Sequence, residues 1–108
     1  MQQEHQACIN LCYECAAACD RCAGACLEEH DPAMMKACIR LTIQCAAVCR
    51  LTAQLMASGS DYLMQLCRLC TDICKACAQE CAGHQYDHCQ ACAQACSRCA
   101  EVCLKRVA

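Results

Sequence analysis

Large aromatic side chains are almost missing from this chain: its 108 residues include no Phe, no Trp and only three Tyr. A core built around aromatic rings is therefore excluded. Glycine occurs three times and proline once, which excludes a fold rich in turns. Nineteen cysteines, together with abundant alanine, account for much of the 58% hydrophobic content. We therefore expect a single domain over residues 1–108 whose interior is largely sulfur.

Concentrated charge is also missing, since the net charge is −2 and no Lys/Arg cluster is interleaved with aromatics. We expect no nucleic-acid partner. No uncharged apolar stretch reaches the length of a membrane span, so we expect no membrane association. The opening residues, MQQEHQACIN, lack the basic and apolar regions of a secretory signal, which indicates a cytoplasmic protein. In that reducing compartment dense cysteine points to metal more than to disulfides.

Four segments with high helix propensity are separated by the few helix-breaking residues. Asp31-Pro32 is typical of a helix start, and Gly59 suits a left-handed helix end, as does Gly83. The intervening residues are mostly Ala, Gln, Glu, Leu, Met and Arg, which favour helix. Helices are thus predicted over residues 3–29, 32–57, 61–82 and 88–106. Their short joints predict an all-α fold, an antiparallel up-down-up-down four-helix bundle with a cysteine-lined core.

Cysteines recur along these segments at alternating intervals of three and four residues, which keeps every thiol on one face of its helix. The rows, helix by helix, are Cys8, Cys12, Cys15, Cys19, Cys22 and Cys26; Cys38, Cys45 and Cys49; Cys67, Cys70, Cys74, Cys77 and Cys81; and Cys89, Cys92, Cys96, Cys99 and Cys103. On the second helix Leu41 or Thr42 occupies the place of a further cysteine, and Thr52 and Met56 continue the row.

Metal binding explains these rows better than packing or disulfides. A buried thiol behaves as a small hydrophobe, but Leu or Ile would fill whole rows better. Disulfide torsions are restrictive, and thiols with neighbours on both sides would scramble. Four thiolates around one divalent ion leave two excess negative charges in the core, whereas one monovalent ion per thiolate leaves none. Charge balance and the softness of thiolate therefore predict multiple Cu(I) ions bound by all nineteen cysteines.

Two other functions compete with a non-enzymatic Cu(I) store. The alternative is a metallothionein-like zinc or cadmium buffer, which would hold fewer divalent ions in clusters. A thiol oxidoreductase would need a nucleophile–base–orienter arrangement, and we find none in the sequence, so no enzyme is expected. Spacing favours Cu(I), because a pair such as Cys15 and Cys19 can hold one low-coordinate ion without distorting its helix.

The chain resembles the bacterial copper storage proteins in its length, its four cysteine-bearing helices and rows such as CYECAAACDRCAGAC, from Cys12 to Cys26. The resemblance implies a homotetramer of bundles that stores or detoxifies Cu(I), with ions entering at one end of each bundle. The missing export signal matches the cytosolic branch of the family. A copper donor protein or a small thiol is a possible partner for delivery. The second helix, with few cysteines, departs from the family pattern.

Different side chains meet at the two ends of such a bundle. His84, His88, Met34 and Met35 gather at one end, where imidazole and thioether could pass copper to the thiolates inside. We add His84, His88 and Met35 to the predicted metal ligands, since Met35 is in phase with Cys38. The alternatives are solvated loop histidines and a methionine that only fills a gap.

Further apolar residues lie outside the cysteine rows, and we interpret them as an oligomer interface, the alternative being a broader core face. They are Leu41, Val48, Leu51 and Leu55 on the second helix, and Leu66, Leu69 and Ile73 on the third.

Overall fold

Four α-helices form nearly all of residues 2–107, the part of the chain that the computed structural model describes. The helices are α1 (Gln2–Leu27), α2 (Lys36–Ser58), α3 (Leu63–Ala82) and α4 (Asp87–Val107). No strand occurs within residues 2–107. The predicted all-α fold is confirmed, because high helix propensity runs unbroken through each segment.

The helices form a rod of 45 × 19 × 18 Å in which each helix contacts the two beside it. The contacting pairs are α1 with α2, α2 with α3, α3 with α4, and α4 with α1. Short joints make consecutive helices antiparallel, which gives the predicted up-down-up-down bundle. Within the described chain, no helix combines the length and hydropathy needed to cross a membrane.

Only one of the two glycine helix ends has the predicted left-handed backbone. Gly59 has φ 73° and ψ 44°, and the next amide, of Ser60, donates to the carbonyl of Leu55 at 3.0 Å. Gly83 has φ −76° and ψ −10°, so the left-handed expectation there is wrong. Its amide donates to the carbonyl of Glu80 at 3.2 Å, which continues a right-handed turn instead.

The start of the second helical segment differs from the predicted α-helix, because its first turn is a tighter 3₁₀ helix. Pro32–Met35 form a 3₁₀ turn, and the α-helix starts only at Lys36. Asp31 precedes the turn but makes no capping hydrogen bond with its side chain. The turn gives two adjacent methionines different environments, since the side chain of Met35 is 2% exposed and that of Met34 is 72% exposed. Met35 therefore lies in the core at the start of α2.

Sulfur and small side chains fill the core, as the composition predicts. All nineteen cysteine side chains are 0% exposed, and none is in a disulfide. Ala16, Ala46, Ala53 and Ala93 are buried among them. Because each cysteine row faces inward on its helix, the rows line one tube along the bundle axis.

Candidate metal centre

The thiols inside the tube form a continuous lattice of close sulfur contacts. Between helices, Sγ–Sγ distances are 3.5 Å for Cys38 and Cys81 and 3.6 Å for Cys45 and Cys74. Along one helix the contacts are as long as 4.0 Å, between Cys92 and Cys96. Two metal–sulfur bonds of ~2.3 Å that meet at about 120° hold their sulfurs ~4.0 Å apart. The spacing therefore suits ions bound between two or three thiolates with little movement of the helices.

Many cysteines also converge in groups of four, within which all the sulfurs lie within 4.8 Å of one another. Five of these sets, from one end of the bundle to the other, are Cys22, Cys26, Cys38 and Cys89; Cys19, Cys77, Cys92 and Cys96; Cys15, Cys19, Cys45 and Cys96; Cys15, Cys49, Cys74 and Cys99; and Cys12, Cys70, Cys99 and Cys103. Successive sets from the second onward share a cysteine. Such shared thiolates can bridge ions into one chain of sites.

His88 reaches the thiols at one end of the tube, which we call the His88 end. Its Nδ1 lies 3.3 Å from the sulfur of Cys22 and 3.6 Å from that of Cys89. Its Nε2 lies 2.6 Å from a carboxylate oxygen of Glu29, and its ring stacks on Tyr86 with centroids 5.5 Å apart. A carboxylate at Nε2 holds the proton on that nitrogen, which leaves the Nδ1 lone pair facing the thiols.

Sequence reasoning missed Glu29. The joint between α1 and α2 contains several acidic residues, and only the closed bundle places Glu29 beside α4. The sequence gives one indication of this contact, since Glu29 is an acidic residue in a joint that lies at the His88 end.

The other predicted residues at this end have different surroundings. His84 is half-buried, and its Nε2 lies 2.8 Å from a carboxylate oxygen of Glu80. This contact occupies one ring nitrogen of His84, whereas the ring of His88 contacts Glu29 and two thiols. Met35 is packed into the cysteine core near the start of α2.

Thiols at the His88 end lie in a dry environment that favours their protonated form. Burial raises the pKa of Cys26 from its ordinary value of 9.0 to about 11. Burial also raises the pKa of Cys38 and of Cys89. A metal ion that binds here must therefore displace protons from neutral thiols.

The opposite end carries a fixed positive charge, and we call it the Arg106 end. A hydrogen bond from Cys103 is the main cause that lowers the pKa of Cys67 and of Cys8. The Arg106 guanidinium adds a smaller lowering at both thiols and hydrogen bonds to Cys8. Sequence reasoning missed Arg106, because basic residues near a helix end are common and usually solvated.

A family model described as copper storage protein matches residues 1–108 of this chain. The chain belongs to the copper storage protein family. Among solved structures of the family, the Cu(I)-bound copper storage protein BsCsp3 of Bacillus subtilis superposes with a TM-score of 0.93 and 45% identity, covering 97% of this chain and 99% of that one. A cytosolic copper storage protein from Streptomyces lividans, in a structure of copper loading with five coppers, gives a TM-score of 0.93 and 36% identity over 97% of this chain and 92% of that one.

A curated relative is the uncharacterized cysteine-rich protein YhjQ of Bacillus subtilis strain 168. It is 45% identical over 108 residues, which are all of both chains. The family match confirms the predicted resemblance, and with it the prediction of a protein that stores multiple Cu(I) ions.

Proposed function

We propose that this copper storage protein, as a single domain over residues 1–108, holds its Cu(I) ions on all nineteen core cysteines. The observation that carries the proposal is the lattice of Sγ–Sγ contacts of 3.5 to 4.0 Å along the tube. Each arriving ion displaces thiol protons and is bound between neighbouring sulfurs. The sulfurs are fully buried, so charge balance inside the tube decides how many ions it holds.

Monovalent copper fits this buried lattice better than zinc or cadmium. An ion of charge +1 for each thiolate leaves the tube neutral, whereas a divalent ion in each set of four leaves uncompensated negative charge in a dry core. The sharing of Cys15, Cys19, Cys96 and Cys99 between sets also favours bridging thiolates over separate tetrahedral sites.

His88, Met35 and His84 complete the proposed ligand set at the His88 end. The Nδ1 of His88 is a weaker ligand than thiolate, and its position beside Cys22 and Cys89 suits the reception of an ion before the thiolates take it. The thioether of Met35 is a soft donor at the same end. His84 lies in the joint between α3 and α4 at this end of the tube, and we propose that it makes a transient first contact with the ion.

We propose that the protein acts in the cytosol, as does the Streptomyces lividans protein, and protects the cell from free copper as well as storing it. It is not an enzyme in this proposal.

Leu51 and Leu69 are 44% and 49% exposed on α2 and α3, which supports a homo-oligomer, with the tetramer as the proposed form. Copper arrives from a donor protein or a small thiol.

An anaerobic titration of the reduced protein with Cu(I), against a chromophoric chelator, tests the nineteen-cysteine proposal. We expect the ions retained per chain to approach the number of thiols, on the order of one per cysteine. Replacement of Cys45 by Ser removes a core ligand and should lower the capacity by about one ion, whereas the exposed-site control Ser97→Ala should not. Saturation after only a few ions, or displacement of Cu(I) by Zn(II), would overturn the proposal.

A further inference from the structure

Tyr86 lies against the imidazole of His88, where the joint between α3 and α4 ends. The two rings are nearly parallel, with an interplanar angle of 5° and centroids 5.5 Å apart. Stacked rings at this separation are an arrangement that aromatic side chains favour. The ring of Tyr86 therefore covers one face of the imidazole at the His88 end of the tube.

Backbone and side-chain hydrogen bonds hold Tyr86 in this place. Its carbonyl oxygen accepts hydrogen bonds from the amides of Cys89 and Gln90, both at 3.0 Å, at the start of α4. The side-chain amide of Gln90 donates to the carbonyl oxygens of Ala82 and His84, at 3.2 and 2.6 Å. These contacts tie the joint to the first turn of α4, and they fix the place from which the ring of Tyr86 projects.

The other contacts of His88 fix single atoms of its ring rather than the plane of the ring. Its Nε2 lies 2.6 Å from a carboxylate oxygen of Glu29, a flexible side chain that can follow a tilting ring. Its Nδ1 lies 3.3 Å from the sulfur of Cys22 and 3.6 Å from that of Cys89, and thiols form only weak hydrogen bonds. The torsion that turns a histidine ring is intrinsically soft, so a flat contact on the ring face is needed to resist its rotation.

We propose that Tyr86 is a positioning residue for copper entry, because its ring holds the imidazole of His88 in the plane that directs Nδ1 at Cys22 and Cys89. The inference rests on the proposed function, in which His88 receives an ion before the thiolates take it. A tilted ring directs the Nδ1 lone pair away from the sulfurs. Tyr86 does not touch the ion, but its removal lowers the fraction of rings that are correctly oriented, and loading slows in proportion.

Substitutions of Tyr86 test the role of its ring. Tyr86→Phe keeps the ring and should load Cu(I) at nearly the native rate. Tyr86→Leu keeps apolar bulk without a flat face, and both it and Tyr86→Ala should slow loading by about threefold, the scale of an aromatic pair. Tyr86 is 40% exposed and its carbonyl remains in every variant, so all of them should fold. Anaerobic stopped-flow mixing with a Cu(I)–chelator complex measures the rate.

A double-mutant cycle with His88→Ala separates positioning from a general effect on the fold. If Tyr86 acts through His88, Tyr86→Ala should add no further slowing to that of His88→Ala. A role in the fold alone would slow the double variant as well. Tyr62→Ala is the matched control and should load at the native rate, because Tyr62 also precedes a helix and accepts from the amide of Leu66 at 3.2 Å, but lies at the Arg106 end.

A second measurement needs no copper. Nuclear Overhauser effects in the reduced, metal-free protein report how close the imidazole protons of His88 lie to the β-protons of Cys22 and Cys89. These effects should be equally strong in the native protein and in Tyr86→Phe, and weaker in Tyr86→Ala, because the ring is then free to tilt.

Native loading or unchanged Overhauser effects in Tyr86→Ala would overturn the inference, as would a Tyr86→Phe variant as slow as Tyr86→Ala or further slowing in the double variant. Each of these results can occur while His88→Ala loads slowly and the equilibrium capacity stays at about one ion per cysteine, which leaves the proposed function intact. Native loading in His88→Ala would contradict the proposed role of His88, and this inference with it. A capacity of only a few ions would contradict the proposed store itself.

Discussion

The two ends of the tube are lined by the same thiols but present different charges to an approaching ion. The His88 end offers an imidazole whose other nitrogen contacts the carboxylate of Glu29. The Arg106 end presents a guanidinium to Cys8, and the pKa of that thiol is lowered by Cys103 and then by Arg106. A cation is attracted to a ligand beside a carboxylate and repelled by a fixed positive charge. A tube that is lined with thiols along its length can thus be loaded with copper preferentially from one end, because the side chains at its two ends differ.

The largest expected effect comes from the removal of the imidazole that faces the thiols. Replacement of His88 by Ala should slow Cu(I) loading on the order of tenfold, because the imidazole that contacts Cys22 and Cys89 then no longer receives the ion. The capacity at equilibrium should change little, since the nineteen cysteines remain. Stopped-flow mixing with a Cu(I)–chelator complex, followed by the chelator absorbance, measures the rate.

His84→Ala is the control for His88→Ala, because His84 pairs with Glu80 outside the lattice. We expect His84→Ala to slow loading much less than His88→Ala does, because the contact of His84 with the ion is only transient, and Glu29→Gln, which keeps the shape but removes the charge beside His88, to fall between the two. Equal rates for the native protein and His88→Ala would remove the role of His88 at this end.

A smaller effect should follow from neutralising the opposite end. Replacement of Arg106 by Gln removes the positive charge near Cys8 and Cys67, and a second route into the tube becomes less unfavourable. In the His88→Ala background, this change should restore loading by about two- to threefold, the scale of a partly screened charge interaction. The same stopped-flow assay applies, with Arg98→Gln on the exposed surface of α4 as the control. A double variant no faster than His88→Ala would contradict the electrostatic role of Arg106.

The cysteine core was predictable from the sequence because its determinants are local. Intervals of three and four residues place thiols on one helix face whatever the helix packs against, and all nineteen are buried. Intervals alone did not decide between Leu41 and Thr42, since both three- and four-residue steps occur in the rows. Packing decides for Thr42, which is fully buried while Leu41 is only half-buried.

Features that depend on how the helix ends meet were beyond sequence reasoning. Glu29 contacts His88 across 59 positions of the chain, and Arg106 lies near Cys8 from the other terminus. Neither pairing has a periodic signal. Gly83 shows the limit of a residue-type rule, because glycine permits a left-handed backbone but does not require one.

The smallest expected effect concerns proton binding by Cys26 in the metal-free protein. Its pKa is raised from 9.0 to about 11 by burial, so between these pH values the native state binds more protons than the unfolded state. The free energy of unfolding should therefore decrease as pH rises from 9 to 11, with Cys26 contributing at most about 1.4 kcal/mol per pH unit. Anaerobic urea denaturation at several pH values in this range measures the slope.

Cys26→Ala should make that slope less steep, whereas Cys8→Ala should leave it nearly unchanged. The pKa of Cys8 is lowered, chiefly by its hydrogen bond with Cys103, so its stabilising contribution is lost on acidification and is constant above pH 9. The two variants thus compare the two ends of the tube: the contribution of Cys26 to stability is lost as the pH rises, and that of Cys8 is lost as the pH falls. If Cys26→Ala kept the native slope, this result would contradict the claim that burial raises the pKa of Cys26.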